Sequence, residues 1–361
     1  MREFKRIVIP AKMTGATLPG NSTVEMKEFE VPEPGFGQVL VATRASTICG
    51  SDIRAIYREH TGKGAEGYIP GMVAGHEPCG VVAKAGPGCR QFTEGDRVIV
   101  YHISGCGLCY NCRQGYQIAC TSSEYRQAYG WQRNGGMAPF MLCEERDLIA
   151  LPDELTYIDG ASVACGFGTV YEAIEKVGVS GNDAVLVVGL GPVGLATLML
   201  CKAMGAQKLI GVETNDYRIE MARKLGLVDL VFRPSDTVVD EIRAATGGHG
   251  VERAFDCSGS DAGRQTAVRA ARDWGKIALV GEGNTMSLVP SPDMMHSQKT
   301  VYGSWVTSTW RMMDLVERLV RWGIHPGDLV TDEFPVEKAG EAYALMAGGN
   351  CGKVAIVYPE E

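Results

Sequence analysis

Four cysteines within fifteen residues set the first constraint. Cys106, Cys109, Cys112 and Cys120 form a C-x2-C-x2-C-x7-C run in CGLCYNCRQGYQIAC. Thiolates on so short a stretch can wrap one Zn2+ tetrahedrally. The alternative, a pair of disulfides or a fortuitous cluster, fits poorly with so regular a spacing in a chain that shows no export signal. The run therefore reads as a closed zinc site made of protein sulfur. Such a site has no open coordination position, so it is structural, and any chemistry must be sought elsewhere.

The 361 residues suffice for two domains with separate cores, and a hydrophobic fraction of 45% supports that. The net charge of -8, with no Lys/Arg cluster, excludes a nucleic-acid partner, which needs a basic face for phosphate. At the N-terminus the apolar run is only Ile7-Val8-Ile9 before Pro10, too short for a signal-peptide core. The longest apolar stretch, Ala184 to Ala206, is broken by glycines, a proline and Lys202, so no membrane span is expected. Twelve cysteines without an export signal point to a reducing compartment, and the expected location is cytoplasmic.

Two grammars divide the chain. The first part reads as short strands, Val39 to Ala45, Gly80 to Ala85 and Gly95 to Tyr101, separated by Pro/Gly punctuation such as Pro32-Glu33-Pro34-Gly35. That predicts an all-β, loop-rich domain. From about Asp183, apolar strands alternate with helical patterns: Ala184 to Val188, a helix from about Pro192 to Met204, then strands at Lys208 to Glu213, Leu230 to Phe232, Ala254 to Cys257 and Lys276 to Val280. Such alternation predicts a doubly wound parallel sheet. After about Gly303 come one amphipathic helix, Arg311 to Trp322, and a last strand, Val354 to Tyr358, a tail expected to return to the first domain.

Gly189-Leu190-Gly191-Pro192-Val193-Gly194 lies between the first strand of the α/β half and its helix. In this context Gly189 permits the tight turn, Gly191 lets the backbone approach a pyrophosphate, and Gly194 lets helix and strand pack closely, while Pro192 and Val193 open the helix whose N-terminus faces the anion. Glu213 follows at the end of the next strand, 19 residues after Gly194. A carboxylate there accepts bonds from the adenosine ribose and repels a 2′-phosphate, which favours NAD over NADP. Arg218 is the nearest cation.

Three further residues have the chemistry of metal ligands: Cys49 in CGSD, His76 in GHE and Cys165 in CGFGT. Each alone reads more readily as a buried thiol or a structural histidine, and spacing does not join them. CGSD, GHE, the four-cysteine run, CGFGT and GLGPVG do, however, occur in the order found in the zinc-dependent medium-chain alcohol dehydrogenases, and over essentially the whole chain the sequence resembles that family.

The resemblance implies a GroES-like catalytic domain (1–165) carrying both zinc sites, a Rossmann NAD-binding domain (166–303) and a C-terminal segment (304–361) completing the first: all-β plus α/β. It implies two zinc ions per chain and NAD. Cys49, His76 and Cys165 resemble the catalytic zinc ligands, with the fourth position open; Glu77 resembles a carboxylate that can approach the same metal, and Asp52 the group that orients a ligand histidine. Ser51 resembles the hydroxyl that takes the alcohol proton. Where many relatives relay that proton through a histidine, this chain has Arg54, which stays protonated. The polyol branch commonly has glutamate at Cys165, so the ligand set is similar to that of simple alcohol dehydrogenases. His102 aligns with a pocket-lining position, and Tyr57 and Trp131 are further pocket candidates.

The expected activity is oxidation of a secondary alcohol, polyol or sugar-like substrate with NAD, by a homodimer or homotetramer. A zinc-free NAD(P)H-dependent reductase of the same superfamily and a non-enzymatic zinc-binding module are the alternatives. The retained ligands speak against the first and the dinucleotide turn against the second. The remaining cysteines (Cys79, Cys89, Cys143, Cys201, Cys257, Cys351) and His60, His249, His296 and His325 carry no ligand-like spacing and read as structural.

Overall fold

The strand Ala184–Val188 is buried along its whole length, as a parallel strand covered on both faces must be. It sits inside a six-stranded sheet with the order Leu230–Phe232, Lys208–Val212, Ala184–Val188, Val251–Asp256, Ala271–Leu279, Thr300–Gly303. Every neighbouring pair is parallel. Counted within the unit the order is 3-2-1-4-5-6, that of the dinucleotide-binding doubly wound sheet. Leu186, Ile210, Ala254 and Ile277 pack with Ile242 and Val268 of the helices Val238–Ala245 and Asp261–Ala270. The unit spans Thr169–Val306. The structure is a computed structural model and describes residues 7–58, 67–122 and 124–359; His60 lies outside them.

A second unit is assembled from two stretches, up to Gly168 and from Thr307 onward. Its main sheet runs Val330–Phe334, Lys353–Val357, Gln38–Thr47, Glu77–Ala85, Arg97–Val100, Leu148–Ala150, with Phe140–Glu144 also pairing Gln38–Thr47. Gln38–Thr47 is the hub: it pairs antiparallel with Glu77–Ala85, with Phe140–Glu144 and, at Ala45 to Thr47, with Lys353–Val357. Val39, Val41, Val82, Val98 and Met141 pack on one side, and Leu40, Ala42, Tyr343, Val354 and Ile356 belong to the larger core. The helix Thr309–Trp322 begins at Ser308, whose hydroxyl accepts from Arg311 N–H, and ends at Gly323 in the left-handed conformation.

Several features differ from the sequence reading. The tail holds, besides the expected helix and last strand, the strand Val330–Phe334 and the helix Ala339–Gly348. A hairpin, Lys12–Gly20 with Thr23–Glu30, precedes the strands expected from the pattern. Its outer strand carries Glu25, Lys27, Glu28 and Glu30 and buries none of its residues, so hydrophobic alternation gives no signal. Asn21 and Ser22 both have positive φ, as the tight hairpin turn requires. In the α/β unit the fifth strand begins at Ala271 rather than Lys276. It pairs first with Val251, shifts register, and resumes at Arg253 and Lys276, so only its regular half has the expected apolar pattern. No helix among the described residues is long and apolar enough to cross a membrane.

Candidate functional site

Cys49, His76, Glu77 and Cys165 come from three separate parts of the catalytic unit, yet their ligand atoms lie within 4.8 Å of one another. Cys49 caps the short helix Gly50–Asp52, which continues into a π-helical turn, Ile53–Tyr57. Cys165 sits inside a second π turn, Val163–Phe167. Such turns add a residue to the helical repeat and re-aim side chains, and they recur at functional sites. His76 follows Gly75, whose φ is +87° and where a Cβ would meet Met137 Cγ at 2.6 Å. Glu77 opens the strand Glu77–Ala85.

His76 Nδ1 faces Asp52 Oδ1 at 2.8 Å, which fixes the ring and leaves Nε2 as the ligand atom. Trp131 Nε1 donates to the same oxygen at 3.1 Å, its ring edge-on to His76. Glu77 Oε2 accepts from Thr47 Oγ1 at 2.6 Å and faces Lys353 Nζ at 2.5 Å, whereas its Oε1 is buried without a protein partner. A hydrogen bond from Cys165 lowers the Cys49 thiol well below its ordinary range, with burial opposing and His76 helping. The Cys49 sulfur and burial in turn raise Cys165. Burial raises Glu77, with Lys353 opposing. One acidic thiol, one imidazole with a fixed tautomer, a second thiol and an orphan carboxylate oxygen fit a divalent soft-to-borderline cation such as Zn2+.

Cys106, Cys109, Cys112 and Cys120 form the second cluster. Cys106 and Cys112 sulfurs are 3.9 Å apart, and Cys109 and Cys120 sulfurs 4.0 Å apart. At Zn–S ≈ 2.3 Å a tetrahedron has S···S edges of about 3.8 Å, whereas a disulfide needs about 2.05 Å. All twelve cysteines are free. Backbone N–H groups of Leu108 and Cys109 point at Cys106 sulfur, and that of Cys112 at Cys109 sulfur. Such donors hold Cys109 down at about 5, poised as a thiolate.

In the α/β unit Gly189 has φ +88°, and a Cβ there would meet Ser258 backbone at 2.8 Å. At Gly194 it would strike Gly189 carbonyl oxygen at 1.9 Å, so helix Pro192–Ala203 packs directly on the turn. Gly191 differs: the nearest atom to a Cβ is the Arg218 guanidinium at 3.6 Å, leaving the face of the turn open as a pyrophosphate requires. Glu213 Oε1 accepts from Thr214 N, Thr214 Oγ1 and Asn215 N, and Oε2 from Leu190 N at 2.6 Å. Oε2 keeps a lone pair for a hydroxyl donor. These features fit a dinucleotide.

The chain matches the family model of the alcohol dehydrogenase GroES-like domain over residues 35–153 and that of the zinc-binding dehydrogenases over residues 192–321. It is 48% identical over 351 residues to YphC, an uncharacterized zinc-type alcohol dehydrogenase-like protein of Escherichia coli K12, covering 96% of this chain and 99% of that one. The chain belongs to the zinc-dependent medium-chain alcohol dehydrogenase family. An L-threonine 3-dehydrogenase of Pyrococcus abyssi is 30% identical, over 92% of this chain and 94% of its own length. Among solved structures, the alcohol dehydrogenase rspB of E. coli CFT073, complexed with NADH, superposes with a TM-score of 0.85 at 25% identity, covering 97% of this chain and all of that one.

Within this zinc-type dehydrogenase, several residues at the sites escape the sequence reading. Lys353 is buried beside Glu77; its only sequence signal is a charge in the apolar run Lys353-Val354-Ala355-Ile356-Val357. Arg264 is buried in the coenzyme-type unit, donating to Gly281, Asn284 and Thr285 carbonyls and to Asp256 Oδ2, so it fixes the loop after the strand Ala271–Leu279. Nothing in its local pattern marks it. His102, a pocket candidate by sequence, is buried, with Nδ1 2.9 Å from Ala164 carbonyl, so Nδ1 carries the proton and Nε2 is an acceptor. Burial, helped by His76, lowers His102 to about 3. Tyr57, a pocket candidate by sequence, is buried against Tyr343 in the core. His325 pairs with Asp159 at 3.0 Å and belongs to neither cluster.

Proposed function

We propose that this chain is an NAD(H)-dependent dehydrogenase acting on a secondary alcohol with further hydroxyl groups, of the polyol or sugar-like class. The observation that carries it is the convergence of Cys49, His76 and Cys165 beside the partnerless Glu77 Oε1. Cys49, His76 and Cys165 would hold a catalytic zinc with one position open, and Cys106, Cys109, Cys112 and Cys120 a structural one. Gly189 to Gly194 and Glu213 would hold the dinucleotide. Zinc, when bound, supplies the Lewis acid that makes an alcohol hydroxyl acidic, and the nicotinamide supplies the two-electron acceptor.

This chain's residues then have separable tasks. Ser51, half-buried two residues after Cys49, would take the substrate hydroxyl proton while giving its own hydroxyl hydrogen to a coenzyme ribose hydroxyl or water. Arg54 is exposed and permanently charged, so it cannot pass that proton on. Asp52 holds the tautomer of His76. His102 presents Nε2 as an acceptor, which supports a substrate carrying a second hydroxyl. Glu213 selects against a 2′-phosphate by charge. The protein is taken to work as a homodimer or homotetramer, which sizing by light scattering checks.

A panel of polyols, sugars, secondary alcohols and L-threonine, assayed with NAD and with NADP on zinc-replete protein, tests the reading. Turnover of a hydroxyl-rich secondary alcohol with NAD, lost in Ser51→Ala by ~10²–10⁴-fold, is expected. Full activity with one zinc per chain, or preference for NADP, would overturn it.

A further inference from the structure

Asp52 uses only one of its oxygens. Oδ1 serves both His76 Nδ1 and Trp131 Nε1, while Oδ2 is buried with no protein partner. Other buried polar atoms are in this state, one of them on Tyr343. Tyr343, in the helix Ala339–Gly348, is fully buried, and its Oη is also without a protein partner. Buried polar atoms left in this way are rare in folded proteins and need an explanation.

Asp52 and Tyr343 are linked through Tyr57. Tyr57 lies five residues after Asp52, across the π turn Ile53–Tyr57. Its ring packs against that of Tyr343 with centroids 5.5 Å apart. Burial raises the Tyr343 phenol well above its ordinary range, and the charge of Asp52 is the next cause. A carboxylate oxygen can only accept, whereas a phenol both donates and accepts. One water between them would satisfy both, donating to Asp52 Oδ2 and accepting from Tyr343 Oη, and a buried water needs two to four such polar partners.

We infer that Tyr343 is a positioning residue for the metal cluster, acting through one ordered water shared between its Oη and Asp52 Oδ2, and so on the carboxylate that orients His76. This rests on the proposed role of His76 as a ligand. The stretch after Thr307 then reaches the cluster twice, with Lys353 on Glu77 and Tyr343 on Asp52. A tyrosine that served packing alone would have no use for its hydroxyl, and phenylalanine would replace it without loss.

Tyr343→Phe keeps the ring and removes Oη. Zinc release from the two clusters is followed by chelator competition on zinc-replete protein, with NADH binding and melting temperature measured alongside. The catalytic zinc should be held about tenfold more weakly, in line with losses at groups behind metal ligands, while the four-cysteine zinc and NADH binding stay unchanged. Wild-type protein with two zincs per chain and identical catalytic-zinc release in Tyr343→Phe would overturn this inference alone. One zinc per chain in the wild type would overturn the functional reading and this inference with it. A high-resolution crystal structure of the zinc-loaded wild type gives an independent check: a water within hydrogen-bonding distance of both atoms supports the inference, and apolar packing between them refutes it.

Discussion

Lys353 Nζ lies 2.5 Å from Glu77 Oε2, both groups almost wholly out of solvent. Burial drives Glu77 toward its neutral form and Lys353 opposes this, beside three candidate metal ligands. Removing one partner of a buried pair strands the other's charge, at a cost of about 3–5 kcal/mol. Lys353→Met should therefore destabilise by that order, and Glu77→Gln with Lys353→Met should recover part of the loss. Denaturant unfolding of the two single variants and the double variant reads the coupling; additive losses would show that the pair does not act as one.

Metal analysis should separate the clusters. Cys165→Ala should lower zinc from about two per chain to about one, abolishing turnover while NADH still binds. Cys109→Ser should lose zinc and melting temperature together, because binding at a closed sulfur site is coupled to folding. Either variant retaining full metal content would refute the assignment of its cluster.

Glu213 is fixed by four donors, one of them the Leu190 N–H of the glycine turn. Glu213→Gln should weaken NAD and relieve the repulsion of a 2′-phosphate, so the ratio of kcat/KM for NAD over NADP should fall at least tenfold. Arg218, whose guanidinium lies over Gly191, is the group that would then meet the extra phosphate. An unchanged ratio would remove Glu213 from coenzyme selection.

Asp147 gives a pH signature. It is fully buried, accepts from Tyr129 Oη at 2.9 Å, and burial pushes it from 3.8 up to about 7. Because its folded pKa is raised, the folded state binds the extra proton between about pH 4 and 7, and stability falls as pH rises through that window. Asp147→Asn cannot ionise. Its melting temperature relative to wild type should climb from pH 4 to pH 8, and a difference independent of pH would refute this account.

The sequence was most legible where local pattern and environment agree. Ala184–Val188 has the expected bounds because every residue of this buried parallel strand is apolar, and the edge strand Leu230–Phe232 has them because its three residues are apolar between polar neighbours. The outer hairpin strand Thr23–Glu30 is silent in the sequence because its stability comes from pairing with Lys12–Gly20, not from a buried face. At the site, Cys49, His76 and Cys165 were visible one at a time, but only long-range folding brings them together. Lys353, Arg264 and Tyr343 were invisible for the same reason: their role depends on what lies across space from a common residue type.

The discontinuous catalytic unit also has a history during synthesis. On a chain made from its N-terminus, Cys49, His76, Glu77 and Cys165 emerge first, then the whole of Thr169–Val306, and only afterwards the strand Lys353–Val357 that brings the countercharge of Glu77. Until then the Ala45 to Thr47 end of the hub strand has an open edge, which is a template for pairing with other chains. The intervening unit has its own sheet and core and can fold as a unit. A stalled or truncated nascent chain would therefore hold a folded dinucleotide unit beside an unfinished, aggregation-prone metal unit.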